Sequence, residues 1–281
     1  MKTGVIDVGG GMRDIYGSGV LDRCLKMGIN FDYGIGVSAG SANIASYMSG
    51  QYKRNIPFYT DYSYRKEYMG VGNFLRTGSF LDLDYIYGTL SNKGGENPLD
   101  YEAMKRSPMK YVIVATDAVT GKPRYFTMED MKQDDYGPIK CSSCVPIVNK
   151  PYGFQGRLYH DGGLSDPIPL KKAFVEEKCD KCVLILTRPR DYLRTSDKDK
   201  RRALLLKRRY PGSARRLEKR AELYNRQLDM AQKLEAAGRL LIIAPDSIEG
   251  MGMLKKNKAG SLALYKKGWH DAGRIPEFLG S

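Results

Sequence analysis

The chain has 281 residues, 42% hydrophobic and 28% charged, the composition of a soluble globular protein long enough for one large core or a main domain with an appendage. No apolar run approaches the ~20 residues of a membrane-spanning helix, so that class is excluded. The formal net charge of +14 is unevenly placed: residues 1–170 hold 19 Lys and Arg against 18 Asp and Glu, and residues 171–281 hold 27 against 14.

In chain order, "MKTGVIDVGGG" has one lysine and no apolar core of signal-peptide length, which points to a cytoplasmic protein. It runs directly into a strand, residues 3–8, and a glycine cluster. "GSGVLDRCLKMG" then reads as a helix closed by Gly28. "INFDYGIGV" is a second strand and "SAGSANIASYMSG" a second helix. This alternation calls for parallel strands with crossover helices, an α/β layered fold. Residues 51–98 are less regular and rich in tyrosine, and the segment 51–69 suits either a lid or acyl-chain wall or packing over the sheet edge. "KYVIVATDAVTGKPRYFTM" (110–128) reads as two strands joined by a Thr-Gly turn, and "GRLYHDGG" as a strand entering a glycine turn. "DPIPLKKAFVEE" starts a helix and "KCVLILTRP" is a buried strand. Beyond it lie charged helices, interrupted by "YPGS" (210–213) and the strand "RLLIIAP" (239–245).

The stretch Gly36-Val37-Ser38-Ala39-Gly40 places a serine where a strand meets a helix, with glycines allowing the tight turn that projects a nucleophile. A serine hydroxyl needs a base, and the chain has two histidines, His160 and His270. His160 directly precedes Asp161, and neighbours on a strand face opposite ways, so Asp161 facing Ser38 turns His160 away. His270 sits in polar, loop-like surroundings. A lone carboxylate, Asp161, is therefore the economical base, with Gly162 and Gly163 leaving room beside it. Gly9, Gly10 and Gly11 after the first strand supply amides for an oxyanion. A dinucleotide fingerprint would need a third glycine at position 14, which is Asp.

"GGGMR", "GVSAGS" and "DGG", in this order and supported by "VATDAVTGKPRYF" and "CSSCVPIVNKPY", resemble the patatin-like phospholipases over roughly residues 3–190. The resemblance implies a three-layer α/β/α fold with a mostly parallel central sheet, and a Ser-Asp dyad hydrolysing lipid acyl esters without metal or cofactor. It matches Ser38 to the nucleophile and Asp161 to the base. Gly9, Gly10, Gly11 and Met12 match the oxyanion loop, and Arg13 its arginine. One departure is Asp14, where the family usually has Gly; its charge near the oxyanion is expected to weaken catalysis. The alternative function is thus a catalytically weak lipid- or membrane-binding protein on the same fold.

Domains are expected at 1–190 (catalytic) and 191–281 (a basic, mainly helical extension resembling one found in a bacterial subgroup). The partner is a phospholipid or other lipid ester, with no nucleic acid, since the tail holds no recognition motif. "RRALLLKRRY" suits an anionic bilayer, its leucines toward the acyl region and its basic groups among headgroups. The competing expectation is that those leucines pack on the catalytic domain. Five cysteines include two C-x-x-C pairs, 141/144 and 179/182; their strand-like contexts favour reduced, packed thiols over zinc.

Overall fold

The computed structural model describes residues 1–280. Five strands run parallel: β1 (Thr3–Asp7), β2 (Tyr33–Val37), β3 (Lys110–Asp117), β7 (Lys181–Ile185) and β8 (Leu240–Ile243). Three are antiparallel additions: β4 (Pro123–Thr127) and β6 (Arg157–Asp161) pair with β3, and β5 (Tyr152–Phe154) pairs with β6. The sheet order is β5-β6-β3-β2-β1-β7-β8, with β4 off this path on β3. The helices are α1 (Ile15–Lys26), α2 (Ala39–Met48), α3 (Ile56–Thr60), α4 (Val71–Thr77), α5 (Tyr101–Arg106), α6 (Gly137–Ser142), α7 (Asp197–Leu206), α8 (Pro211–Ala236), α9 (Lys258–Asp271) and α10 (Ile275–Leu279).

The strands are apolar on both sides because both faces are covered. Val5, Ile113 and Val183 point into one core with Ile15, Val20, Ile44 and Leu264. Their neighbours Ile6, Val112 and Leu184 point into the other, with Tyr224, Leu228 and Ala231 of α8. The period-2 alternation of the strands thus meets helices on each side, giving three α/β/α layers. α8 presents its buried stripe, Leu217, Ala221, Tyr224, Leu228 and Ala231, at helical spacing and begins with Pro211 in its first turn.

The last third of the chain is built into this core. β8 extends the sheet beyond β7, and α9 lies against α1. The two helices touch through glycines: a Cβ on Gly19 would lie 2.2 Å from the Tyr265 carbonyl oxygen, and one on Gly268 would lie 2.1 Å from that of Tyr16. Tyr16 donates to Asp271 at 2.7 Å and Tyr265 to Asp22 at 2.8 Å, closing the contact from both ends. In α7, Leu206 and Ala203 are buried against Leu164, Ala214 and Leu217, while Leu204 and Leu205 stand 68% and 74% exposed. Of the leucines of "RRALLLKRRY", Leu206 thus packs on the catalytic part of the chain, and Leu204 and Leu205 face outward. No helix among the described residues is long and apolar enough to cross a membrane.

Two elements differ from expectation. The helix expected in "DPIPLKKAFVEE" is short, beginning only after Pro169 and spanning residues 170–176, with the wide-wound part at Lys172–Glu176. The irregular stretch 51–98 contains the short helices α3 and α4 and a wide turn at Tyr85–Thr89. The cysteines are free and buried; Cys144 donates to the Lys150 carbonyl at 2.8 Å.

Candidate active site

Chain connections leave β1 toward β2 on one side and β7 toward β8 on the other. The carboxyl ends of β1 and β7 thus flank a topological switch point, where open α/β sheets form their crevices. Three segments converge there: the loop after β1, the turn after β2 and the turn after β6.

Ser38 follows β2 and caps α2 with φ 57 and ψ −134, a conformation a non-glycine residue adopts only when its surroundings enforce it. The enforcement is visible. Ser38 N–H donates to Ser142 Oγ at 2.8 Å, and Ser142 donates in turn to the Val114 carbonyl at 2.6 Å. The Ser38 carbonyl accepts from Ser41 N–H at 3.0 Å and from Ser41 Oγ at 2.6 Å. The flanking glycines are needed for close approach: a Cβ on Gly36 would lie 2.4 Å from Ser41 Cα, and one on Gly40 2.4 Å from the Asp7 carbonyl oxygen. Ser142 was not legible as a site residue; "CSSC" was visible, but its contact spans 104 positions.

Asp161 ends β6, is 5% exposed, and accepts from Gly163 N–H at 2.8 Å. It lines the same cavity as Ser38. Burial raises its pKa above the ordinary carboxylate range; Arg220, the Ser38 hydroxyl, the Gly163 N–H and Arg194 oppose that rise. A carboxylate partly desolvated in this way is a stronger base than one in water.

His160 faces the other way, as the strand alternation requires. Its Nδ1 lies 2.7 Å from Ser213 Oγ in α8, its ring stands edge-on to Tyr210 with centroids 5.4 Å apart, and Nε2 is buried without a partner. Ser213 donates to the Ala118 carbonyl at 3.3 Å, so the imidazole is assigned as the donor to Ser213. Burial lowers its pKa to about 4. His270 is exposed on α9.

Gly9, Gly10 and Gly11 all have positive φ (68, 151 and 59) and form the loop between β1 and α1. Gly9 N–H donates to Asp7 Oδ1 at 3.1 Å. Met12 N–H donates to the Met253 carbonyl at 2.8 Å, from the segment between β8 and α9. Met12 is therefore engaged by the extension and lines an apolar cavity beside Ser38, while Gly9, Gly10 and Gly11 line the cavity that holds Asp161. Arg13 is 7% exposed, and its Nε donates to the Thr187 carbonyl at 3.3 Å, joining the loop after β1 to the end of β7.

The expectation that Asp14 places a charge near the oxyanion is corrected. Asp14 is fully buried beneath the loop, facing Asp7 across Gly17: a Cβ there would lie 2.6 Å from Asp7 Oδ2 and 2.7 Å from Asp14 Oδ1. Burial first, then the Asp7 charge, pushes its pKa well above the ordinary value. Asp7 itself is pushed up by burial to about 6, with the Gly9 amide, Asp14 and Asn43 opposing. Two carboxyls this close share a proton, and Asp14 is the member held neutral.

Two cavities meet at Ser38. One is apolar, walled by Phe58, Tyr59, Tyr68, Met69, Leu83 and Ile86. From the tyrosine-rich stretch 51–69, Tyr59 and Tyr68 belong to this wall, whereas Tyr64 is exposed and Tyr52 packs against Trp269. The other cavity, of about 510 Å³, holds Asp161 together with Arg13, Arg188, Arg194, Arg202 and Arg220. Arg220 Nε donates to the Gly163 carbonyl at 3.0 Å, beside the carboxylate that Gly163 N–H holds. The positive excess beyond residue 170 does not all lie on the outer surface. Arg194 and Arg220 of the extension turn inward.

A family profile described as patatin-like phospholipase matches residues 8–174, and one described as a domain of unknown function (DUF6363) matches residues 210–278. The chain is similar to the uncharacterized protein YjjU of Escherichia coli, 30% identical over 179 residues, 61% of this chain and 48% of that protein. It is also similar to an uncharacterized NTE family protein of Mycobacterium tuberculosis, 35% identical over 68 residues, 24% of this chain and 18% of that one. The chain thus spans less than half the length of these curated relatives. Among solved structures, VipD from Legionella pneumophila aligns at a TM-score of 0.50 and 13% identity, covering 98% of this chain and 67% of that one, a likeness of fold.

Proposed function

Because the chain belongs to the patatin-like phospholipase family, we propose that it is a serine hydrolase of lipid acyl esters in which Ser38 is the nucleophile and Asp161 its base. The observation that carries this reading is the buried Asp161 carboxyl sharing a cavity with the strained Ser38 turn, while His160 is directed into the opposite face of β6.

The chemistry then runs in two halves. Asp161 takes the Ser38 proton as Oγ attacks the ester carbonyl, and the oxyanion accepts from the Gly10 and Gly11 amides. The tetrahedral species collapses, the leaving alkoxide takes the proton from Asp161, and an acyl-Ser38 ester remains. Water then attacks that ester, gives its proton to Asp161, and releases the fatty acid as Ser38 is reprotonated. The apolar cavity suits the acyl chain. Residues 1–190 hold the dyad and the amide loop, and 191–281 form an extension that walls the site.

The extension also suits an anionic bilayer: Leu204 and Leu205 are exposed on α7 among Arg201, Lys207 and Arg208. The deciding experiment is turnover of a chromogenic short-chain ester, paired with fluorophosphonate labelling. The reading expects labelling at Ser38 and loss of both signals in Ser38→Ala. Lipid binding with no turnover and no label would instead identify a lipid-binding protein on a hydrolase fold.

A further inference from the structure

We propose that Asp7 and Asp14 form a clasp, two buried carboxyls joined by one proton, that fixes the glycine loop after β1 against the nucleophile helix α2. Both are thereby positioning residues for hydrolysis. This rests on the hydrolase reading of Ser38 and adds to it what holds the oxyanion-binding amides in place.

Asp7 is the last residue of β1, and Asp14 is the last of the turn Gly11–Asp14 that leads into α1, so the pair stands at the two ends of the loop 8–13. Within that loop Gly9, Gly10 and Gly11 all have positive φ, and consecutive glycines impose little conformational preference of their own. Amides that must face a developing charge need a constraint from outside the loop. The stem supplies it. Asp7 Oδ1 accepts from Gly9 N–H at 3.1 Å, and Asp7 Oδ2 accepts from Asn43 Nδ2 at 3.3 Å. Asn43 belongs to α2, the helix that Ser38 caps, and its Nδ2 also donates to the Asp14 carbonyl at 2.9 Å. Gly40 of the same helix presses on Asp7, where a Cβ would lie 2.6 Å from Oδ1. A shift of the Asp7 carboxyl therefore moves the amide loop relative to Ser38.

Asp14 is what holds that carboxyl. Both side chains are fully buried, and among the described residues neither carboxyl oxygen of Asp14 receives a hydrogen bond from a protein donor. Nearby donors are turned elsewhere: Arg13 Nε to the Thr187 carbonyl, Tyr111 O–H to the Ser41 carbonyl, and Tyr59 O–H and Ser18 Oγ to Asn43 Oδ1. The group left facing Asp14 is Asp7, and two buried carboxyls meet favourably only through a proton. Asp7 has two N–H donors to stabilise its anion and Asp14 has none, so Asp14 keeps the proton and donates it to Asp7. A hydrogen bond from a neutral acid to a carboxylate is charge-assisted, shorter and stronger than one between neutral groups. With the family's usual glycine at position 14, no such clasp could form.

The test compares Asp14→Ala, which has no proton to give, with Asp14→Asn, whose amide still donates to Asp7. On a chromogenic short-chain ester at pH 7.5, Asp14→Ala is expected to lower kcat by at least roughly tenfold, the scale of one charge-assisted contact, with KM little changed. The loss should stay below the roughly 100-fold or more that follows outright removal of an oxyanion donor, because the amides are displaced and not deleted. Asp14→Asn is expected to recover most of that loss. Phosphonylation of Ser38 by a fluorophosphonate should slow in step with kcat, since the phosphonyl oxygen needs the same amides. Infrared spectra at pH 7.5 should show a carboxylic-acid carbonyl band in the wild type that Asp14→Asn lacks. Should Asp14→Ala not fold, Asp14→Gly, carrying the family's usual residue, is read in its place. A variant without the carboxyl that melts lower but keeps its kcat overturns the proposal and leaves the hydrolase reading intact. So does an Asp14→Asn enzyme as slow as Asp14→Ala, or an acid band unchanged by Asp14→Asn. If the wild type neither cleaves the ester nor takes the fluorophosphonate, the hydrolase reading fails. Hydrogen exchange then decides the clasp by itself: faster exchange of the Gly9, Gly10 and Gly11 amides in Asp14→Ala than in Asp14→Asn supports it, and equal exchange overturns it.

Discussion

Replacing His160 with Asn separates a Ser-Asp dyad from a histidine-based triad and puts a number on the burial of this ring. The imidazole is fully buried, its Nδ1 is engaged by Ser213, and burial lowers its pKa from the ordinary 6.5 to about 4. In the unfolded chain the ring protonates near its ordinary value, so between those two pH values the unfolded state binds the extra proton. Stability from the neutral, buried ring is complete above pH ~6.5 and is lost as pH falls toward 4. At about 1.4 kcal/mol per pH unit, the loss across that window is about 3 kcal/mol. Asn retains an N–H donor near the position of Nδ1 and has no charge to acquire, so its stability lacks this component. Urea unfolding of both proteins from pH 7.5 to 4, at fixed ionic strength, gives the difference between them directly. The two share every other titrating group, including Asp7, whose contribution has the opposite sign. At pH 7.5 the variant is expected to be the less stable, from lost contact with Tyr210, and that deficit should shrink or reverse by about 3 kcal/mol on acidification. Ester hydrolysis should persist in the variant at a substantial fraction of wild type. A stability difference that stays flat with pH would refute the neutral buried histidine, and a variant as inactive as Asp161→Asn would refute the dyad.

Asp161→Asn is expected to lower kcat by roughly 100-fold or more, since the amide takes no proton, with the fold retained by circular dichroism; wild-type activity should fall on acidification, beginning above the usual Asp range because burial raises this carboxyl. Asp14→Asn removes one member of a buried carboxyl pair that resists ionisation. The pair's contribution to stability is greatest below pH ~4 and falls as pH rises through about 6, so the variant should melt higher than wild type at pH 7.5 while keeping its turnover. A lower melting temperature, or loss of turnover, would show that Asp14 is ionised and used. Sedimentation with vesicles containing anionic lipid should exceed that with zwitterionic vesicles, fade at high salt, and drop in the double variant Leu204→Glu, Leu205→Glu; indifference to salt and to these changes would leave α7 as a solvated helix.

The strands, the tight turn at Ser38 and the opposite facing of His160 and Asp161 were legible in the linear chain because each depends on local periodicity or on nearby glycines. Alternation along β6 alone turns His160 away when Asp161 faces Ser38, and glycines around Ser38 mark the turn. Contacts between distant segments were not legible. Asp14 was read as a charge beside the oxyanion since it adjoins the loop; only the packed structure puts it beneath the loop against Asp7, where desolvation removes that charge. The Met12 amide looked available until Met253, 241 positions away, took it. The basic excess was countable, but a count carries no direction. Folding sends Arg194 and Arg220 inward toward the cavity that holds Asp161 and leaves Leu204 and Leu205 in water, because α7 and α8 pack by their small and apolar stripe and the remaining side chains go wherever that packing aims them.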